Sequence, residues 1–176
     1  SIMAGVKMHT IGLKLDHKKL IRVMPNTPAQ IRQGISAWTA SKEVDRPTLD
    51  FVRDMLQAIG HEIRFSDEKN IDVATALSGS GPGYVFVFIE ALTDAGVELG
   101  LPVQIARDLA SQTVLGSAAL QRESGEHPAE LRNMVTSPGG TTAAGLASLE
   151  NGGFRGIIAD AVRAAFERGE DLAGGK

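Results

Sequence analysis

From Ser66 onward the chain has no stretch that reads as a strand, and this loss of strand periodicity limits the fold more than any other feature. Segments near 68–77, 82–99, 103–123, 128–134, 141–150 and 154–171 repeat apolar residues at helical spacing, so residues 66–176 predict an all-α unit. The first 65 residues read differently. Short apolar runs at Ser1–Val6, Leu20–Met24, Ile35–Ala40 and Glu62–Phe65 alternate with amphipathic segments at Met8–Leu15 and Arg46–Ile59, which is the α/β signature. In the second amphipathic segment Leu49, Val52, Leu56 and Ile59 share one face, Asp45 suits the N-cap and Gly60 suits the stop. The helix at 82–99 is apolar nearly all round, through Val85, Phe86, Val87, Phe88, Ile89, Leu92 and Leu99, and so predicts burial on most sides. One small domain cannot bury it alone. The alanine-rich helices beside it allow close approach, and a second copy of the chain is expected to complete the core.

Composition excludes several classes. The 176 residues are 43% hydrophobic and 22% charged, enough for one full core, and a net charge of -3 without any Lys/Arg run argues against a nucleic-acid surface. With no cysteine there is neither disulfide nor thiolate chemistry, which permits the reducing cytoplasm. The longest apolar stretch, Tyr84–Ile89, is cut by Glu90 and is too short to cross a bilayer. His9, His17, His61 and His127 lie far apart without ligand spacing, so no metal site is expected. The first residue is Ser1 on an apparent buried strand, and a missing beginning is a working expectation.

Two polar turns carry the chemistry. Thr136–Thr142 (TSPGGTT) sets hydroxyls and glycines ahead of an amphipathic segment, which outlines an anion site for a carboxylate or phosphate. Leu77–Tyr84 (LSGSGPGY) repeats the device ahead of the long apolar helix. Either turn also reads as plain helix capping. The dinucleotide pattern GxGxxG fails because Tyr84 stands where its last glycine belongs, and GxSxG around Ser80 fails because Ser78 stands where its first belongs. Hydroxyls and amides without a strong acid or base suit holding an anionic small molecule for chemistry supplied by a cofactor.

The segments RVMPNTP (Arg22–Pro28), ALSGSGPGYVFVFIEAL (Ala76–Leu92), GLP (Gly100–Pro102), GEHP (Gly125–Pro128), MVTSPGGTT (Met134–Thr142) and GGFR (Gly152–Arg155), in this order and spacing, resemble pyrroline-5-carboxylate reductase. The resemblance covers essentially the whole chain. It implies that residues 1–65 are the last part of a Rossmann-type dinucleotide-binding domain and that 66–176 form a helical dimerisation and substrate-binding domain. It also implies reduction of 1-pyrroline-5-carboxylate, a cyclic imine carboxylate, to L-proline by hydride from NADPH or NADH, in a homodimer or larger homo-oligomer. About a third of the usual chain, including the glycine-rich turn for the pyrophosphate, does not precede Ser1, so this chain by itself is expected to be inactive. Met3 and Gly83 stand where alanines are usual, and Asn133 replaces a frequent acid.

By the same resemblance the substrate contacts are Glu68, Val135, Ser137, Gly139, Gly140, Thr141 and Thr142, with the Thr142 hydroxyl facing the ring nitrogen as the catalytic group. Glu68 also reads as an acid favouring the start of its helix. Ala4, Met24 and Asn26 match positions beside the nicotinamide half of the cofactor, at strand ends where open α/β sheets bind ligands. Asn26, between Pro25 and Pro28, is otherwise a turn residue. The alternative to a reductase is a catalytically silent helical dimerisation module. Retention of Glu68, Ser137 and Thr142 favours the enzyme, since a scaffold needs only the apolar positions.

Overall fold

The computed structural model describes residues 1–174. By compactness the chain divides into two units, Ser1–Gly83 together with the chain from Ala159 on, and Tyr84–Ile158.

The first unit runs α1 (Met8–Leu15), β1 (Ile21–Met24), β2 (Gly34–Ala40), α2 (Arg46–Gln57), β3 (Gly60–Arg64) and α3 (Lys69–Ala74), followed by a π-helical turn at Thr75–Gly79. The strands form one sheet in the order β1-β2-β3. β1 and β2 are antiparallel with Met24 opposite Ala37, whereas β2 and β3 are parallel with Gly34 opposite Gly60. Connection length accounts for the mixture. Between β1 and β2 lies only a 3-10 turn, Thr27–Ile31, too short for a crossover, whereas α2 supplies the crossover from β2 to β3.

Strand alternation divides the core between the two sheet faces. On one face Val23, Trp38 and Leu56 are buried with Ile21, Leu49 and Val52 packed around them, so α2 covers this side. On the other, Met24, Ala37 and Ile71 are buried with Phe65 and Ala74, so α3 covers that side. The Asp45 carboxylate caps α2 by accepting from the Thr48 amide at 3.0 Å and the Thr48 hydroxyl at 2.6 Å. Three of the four expected apolar face residues reach the core, while Ile59 lies beyond the end of α2 and is exposed.

Ser1–Val6 is not a buried strand. The Ser1 amine donates to the Ile21 carbonyl at 2.7 Å and the Val23 amide donates to the Ser1 carbonyl at 2.8 Å, but pairing stops there. Gly5 then turns the chain at φ +70°, and Ile2, Met3 and Ala4 remain exposed. At Gly5 the chain near Leu172 comes close, and a methyl there would lie 2.9 Å from Leu172 Cβ.

The second unit contains most of α4 (Gly81–Glu98), then α5 (Val103–Ser124), α6 (Pro128–Met134), α7 (Thr141–Asn151) and the start of α8 (Phe154–Ala173). α4 and α5 approach closely at Gly96, where a methyl would lie 3.1 Å from Ala106 Cβ. The Phe88 and Phe154 rings meet at 6.1 Å between centroids. Within this single chain only Thr93, Ala106 and Ala110 of the unit are buried. The expected burial of α4 is therefore not achieved by one copy: Phe86 is 61% exposed and Leu99 88%. None of the described helices is long and apolar enough to cross a membrane.

Candidate functional site

In the first unit, Met24 and Asn26 lie at the carboxyl end of β1, and Ala4 in the segment that starts beside it. Ser1 is hydrogen-bonded to β1 at Ile21 and Val23, and Ala4 follows it by three residues, while Met24 ends β1 and Asn26 follows that strand. Ala4 is exposed. The Met24 side chain points into the core under α3, which leaves its backbone for any outside contact. Asn26 Oδ1 accepts from the Ile35 amide at 2.9 Å and the Asn26 carbonyl accepts from the Ala29 amide at 3.1 Å. The side chain is thus fixed through its oxygen, so its NH₂ group is oriented by the sheet.

Glu68 lies in a charged network that the sequence reading did not find. Arg22 is fully buried on β1; its Nη1 donates to Glu68 Oε1 at 3.0 Å and its Nη2 to Asp72 Oδ1 at 2.9 Å. The same Glu68 oxygen accepts from the Met8 amide at 2.7 Å, at the start of α1. Lys7 pairs with Asp72 and, at 3.2 Å, with Glu170. Partial burial by itself lowers the Lys7 pKa, but the hydrogen bonds and charges of Asp72 and Glu170 outweigh it and leave the group above its ordinary value. Glu68 therefore joins α1, β1 and α3. The available signal was Glu68 and Asp72 four residues apart on one helix face, with an arginine at an inward position of a strand.

The second unit holds Val135, Ser137, Gly139, Gly140, Thr141 and Thr142, brought together by one turn between α6 and α7. The turn hangs from α6, because the Thr136 amide donates to the Asn133 carbonyl at 3.0 Å and its hydroxyl to the Arg132 carbonyl at 2.6 Å. At the other end of α6, His127 Nδ1 accepts from the Ala129 amide at 3.1 Å. Gly139 sits at φ +70°, and the Gly140 amide donates to the Ser137 carbonyl at 3.0 Å. A methyl on Gly140 would collide with the Ser137 hydroxyl. Gly140 is the N-cap of α7 without any side-chain cap, so the first amides of α7, at Thr141 and Thr142, have no acceptor within the helix. Val135, Ser137 and Thr141 are exposed and Thr142 is half-buried. Amide and hydroxyl donors at the positive end of a helix form a surface suited to a carboxylate. Among the described residues no cluster of histidine and acidic side chains could hold a metal ion.

A mixed α/β sheet unit followed by helices whose apolar faces a single copy leaves open combines the kind of sheet that binds ligands at its strand ends with the kind of exposed apolar surface that marks an interface. The chain belongs to the pyrroline-5-carboxylate reductase family, since a profile described as pyrroline-5-carboxylate reductase dimerisation matches residues 68–172. Among similar proteins, the pyrroline-5-carboxylate reductase of Synechocystis is 48% identical over 98% of this chain and 64% of its own length. That of Pisum sativum is 45% identical over 98% of this chain and 63% of its own. The chain thus spans just under two thirds of these relatives. A crystal structure of Plasmodium falciparum pyrroline carboxylate reductase with NADP bound superposes with a TM-score of 0.93 at 36% identity, covering 98% of this chain and 70% of that one. The Coxiella burnetii enzyme gives 0.91 at 38% identity, over 97% of this chain and 63% of its own.

Proposed function

We propose that the complete gene product containing this chain reduces 1-pyrroline-5-carboxylate to L-proline with NADPH or NADH. The observation that carries this reading is the start of α7 without a side-chain cap, where Gly139 and Thr141 are exposed and Gly140 and Thr142 half-buried, in a chain 48% identical to a named reductase. Residues 1–65 are then the later part of the dinucleotide-binding domain, and 66–176 the dimerisation and substrate-binding domain.

The reduced nicotinamide, when bound, supplies hydride to the C=N carbon. In this reading Asn26, held through its oxygen, offers its NH₂ donors to the nicotinamide half, with the Met24 backbone and Ala4 as further contacts. The substrate carboxylate accepts hydrogen bonds from the Thr141 and Thr142 amides and the Ser137 hydroxyl, while Gly139 and Gly140 leave the backbone bare and Val135 lines the rim. The Thr142 hydroxyl faces the ring nitrogen, donating to it or relaying a proton from water, so that nitrogen gains a proton as carbon gains hydride. Glu68 is a further substrate contact in this reading, its carboxylate held by Arg22. No strongly shifted acid or base is needed, because one proton suffices, whether the imine brings it or takes it through that hydroxyl or water.

The active species is a homodimer or larger assembly, since a second copy covers the open faces of α4 and α5. The setting is cytoplasmic, in keeping with a chain that carries no cysteine.

The test is direct. The complete gene product is mixed with pyrroline-5-carboxylate and NADPH, or NADH, and loss of absorbance at 340 nm is followed with proline as the measured product. Stoichiometric proline formation is expected. A dimer that neither binds nor oxidises either dinucleotide would instead be a silent dimerisation module.

A further inference from the structure

The LSGSGP turn has no role in the reading above, yet its geometry connects it to the cofactor side. Between α3 and α4 the helix widens to a π turn over Thr75–Gly79, in which the Ser80 amide reaches back five residues to the Thr75 carbonyl at 2.8 Å. The turn is fixed from within, as the Thr75 hydroxyl donates to the Ile71 carbonyl at 2.6 Å and the Ser78 hydroxyl to the Ala74 carbonyl at 2.8 Å. Ala76 is buried, which anchors the turn against the first unit. Single π turns within helices occur where a residue must be placed out of helical register.

Here the residue so placed is Gly79. A methyl built on it would lie 3.3 Å from Met24 Cγ, tighter than side chains ordinarily pack, and 3.5 Å from Met24 Sδ. Gly79 has no positive φ, so what a side chain there meets is this contact and not backbone strain. Met24 in turn is the last residue of β1, and the next two residues lead to Asn26. Its side chain is buried in one cluster with Ala37 and Ile71, and close packing there resists a shift to admit an added methyl. Displacing it moves the strand end that carries Asn26.

We propose that Gly79 is a positioning residue for the dinucleotide: the π turn presents a residue without a side chain to Met24, and so sets where the end of β1 and Asn26 meet the nicotinamide. This rests on the cofactor reading of Met24 and Asn26. It makes LSGSGP a support for the cofactor, separate from the TSPGGTT turn.

The test compares Gly79→Ala, Met24→Ala and the double variant in the complete gene product. NADPH affinity is measured by nucleotide fluorescence without substrate, and Tm and the KM for pyrroline-5-carboxylate are measured alongside. Gly79→Ala should weaken NADPH binding by about tenfold, the scale of an overpacked contact, with Tm within a few degrees of the parent and substrate KM within about twofold. The double variant should bind NADPH as Met24→Ala does, because the methyl then has space. Unchanged NADPH affinity in Gly79→Ala overturns the proposal, as does a loss that Met24→Ala fails to relieve. If the unsubstituted protein binds no dinucleotide, the functional reading itself falls and the proposal falls with it.

Discussion

Arg22 places a positive charge where no water reaches it, and only the carboxylates of Glu68 and Asp72 make that tolerable. Arg22→Met removes the charge and leaves Glu68 and the buried Asp72 without the guanidinium they share. A loss of roughly 3–5 kcal/mol in urea unfolding is expected, the usual cost of breaking a buried pair from one side. Lys7 belongs to the same network and gives it a pH dependence. Because its folded pKa lies above the ordinary 10.5, its contribution is complete below that pH and is lost as pH rises through the folded value. Stability should therefore decline in that alkaline range, and Lys7→Met should remove this part of the decline. In the proposed site, Thr142→Ala should lower kcat/KM for pyrroline-5-carboxylate roughly ten- to a thousandfold, the loss of a few hydrogen-bond energies in the transition state. Tm should stay near the parent value, and Thr142→Ser should keep most of the activity. Lost stability with unchanged turnover would make Thr142 a helix cap only.

Among the elements, the α2–β3 junction depends on one backbone position. Gly60 sits at φ +146°, opposite Gly34, and a side chain on it would collide with the Gly34 backbone. Alanine there meets both an unfavourable φ and a backbone that cannot move without breaking the β2–β3 register. Gly60→Ala should cost about 1–3 kcal/mol, whereas Gly116→Ala, where a methyl meets open space in the middle of α5, should be neutral or stabilising. Thermal melts of the two variants should separate in opposite directions. α6 shows the complementary case: a short helix, little buried, is framed by the His127 cap and by Thr136 at its end, and these local bonds hold the turn that follows.

At the scale of the whole molecule, the two units differ in how complete they are. The sheet unit has a core on each face, while Tyr84–Ile158 leaves Phe86, Val87, Leu115, Met134 and Ile157 more than 60% exposed. An apolar surface of that extent marks an interface, and helices with so little burial gain too little to offset their ordering entropy. Sedimentation at micromolar concentration should show dimers or larger species and no monomer. Phe86→Glu, placing a charge on that face, should dissociate the assembly and lower helix content by circular dichroism. A stable folded monomer would remove the basis for the dimer.

The elements themselves were legible in the sequence. α1 and α6 span the residues that periodicity marks, and α5, α7 and α8 differ from the expected bounds by a residue or two at an end. The reason is that apolar spacing, Asp45 at an N-cap and glycines at ends act within a few residues. The motif turns and their family were legible for the same reason, since GEHP and TSPGGTT are local strings. Tertiary structure decided whatever depends on residues far apart. Strand direction in the mixed sheet followed from connection geometry, and Ser1–Val6 failed as a strand because pairing beyond Ser1 is cut short by the turn at Gly5. The Arg22 network spans Lys7 to Glu170, and no window of sequence contains both. Gly79 against Met24 is likewise a contact across 55 positions, visible only once the π turn has rotated the glycine to face the strand.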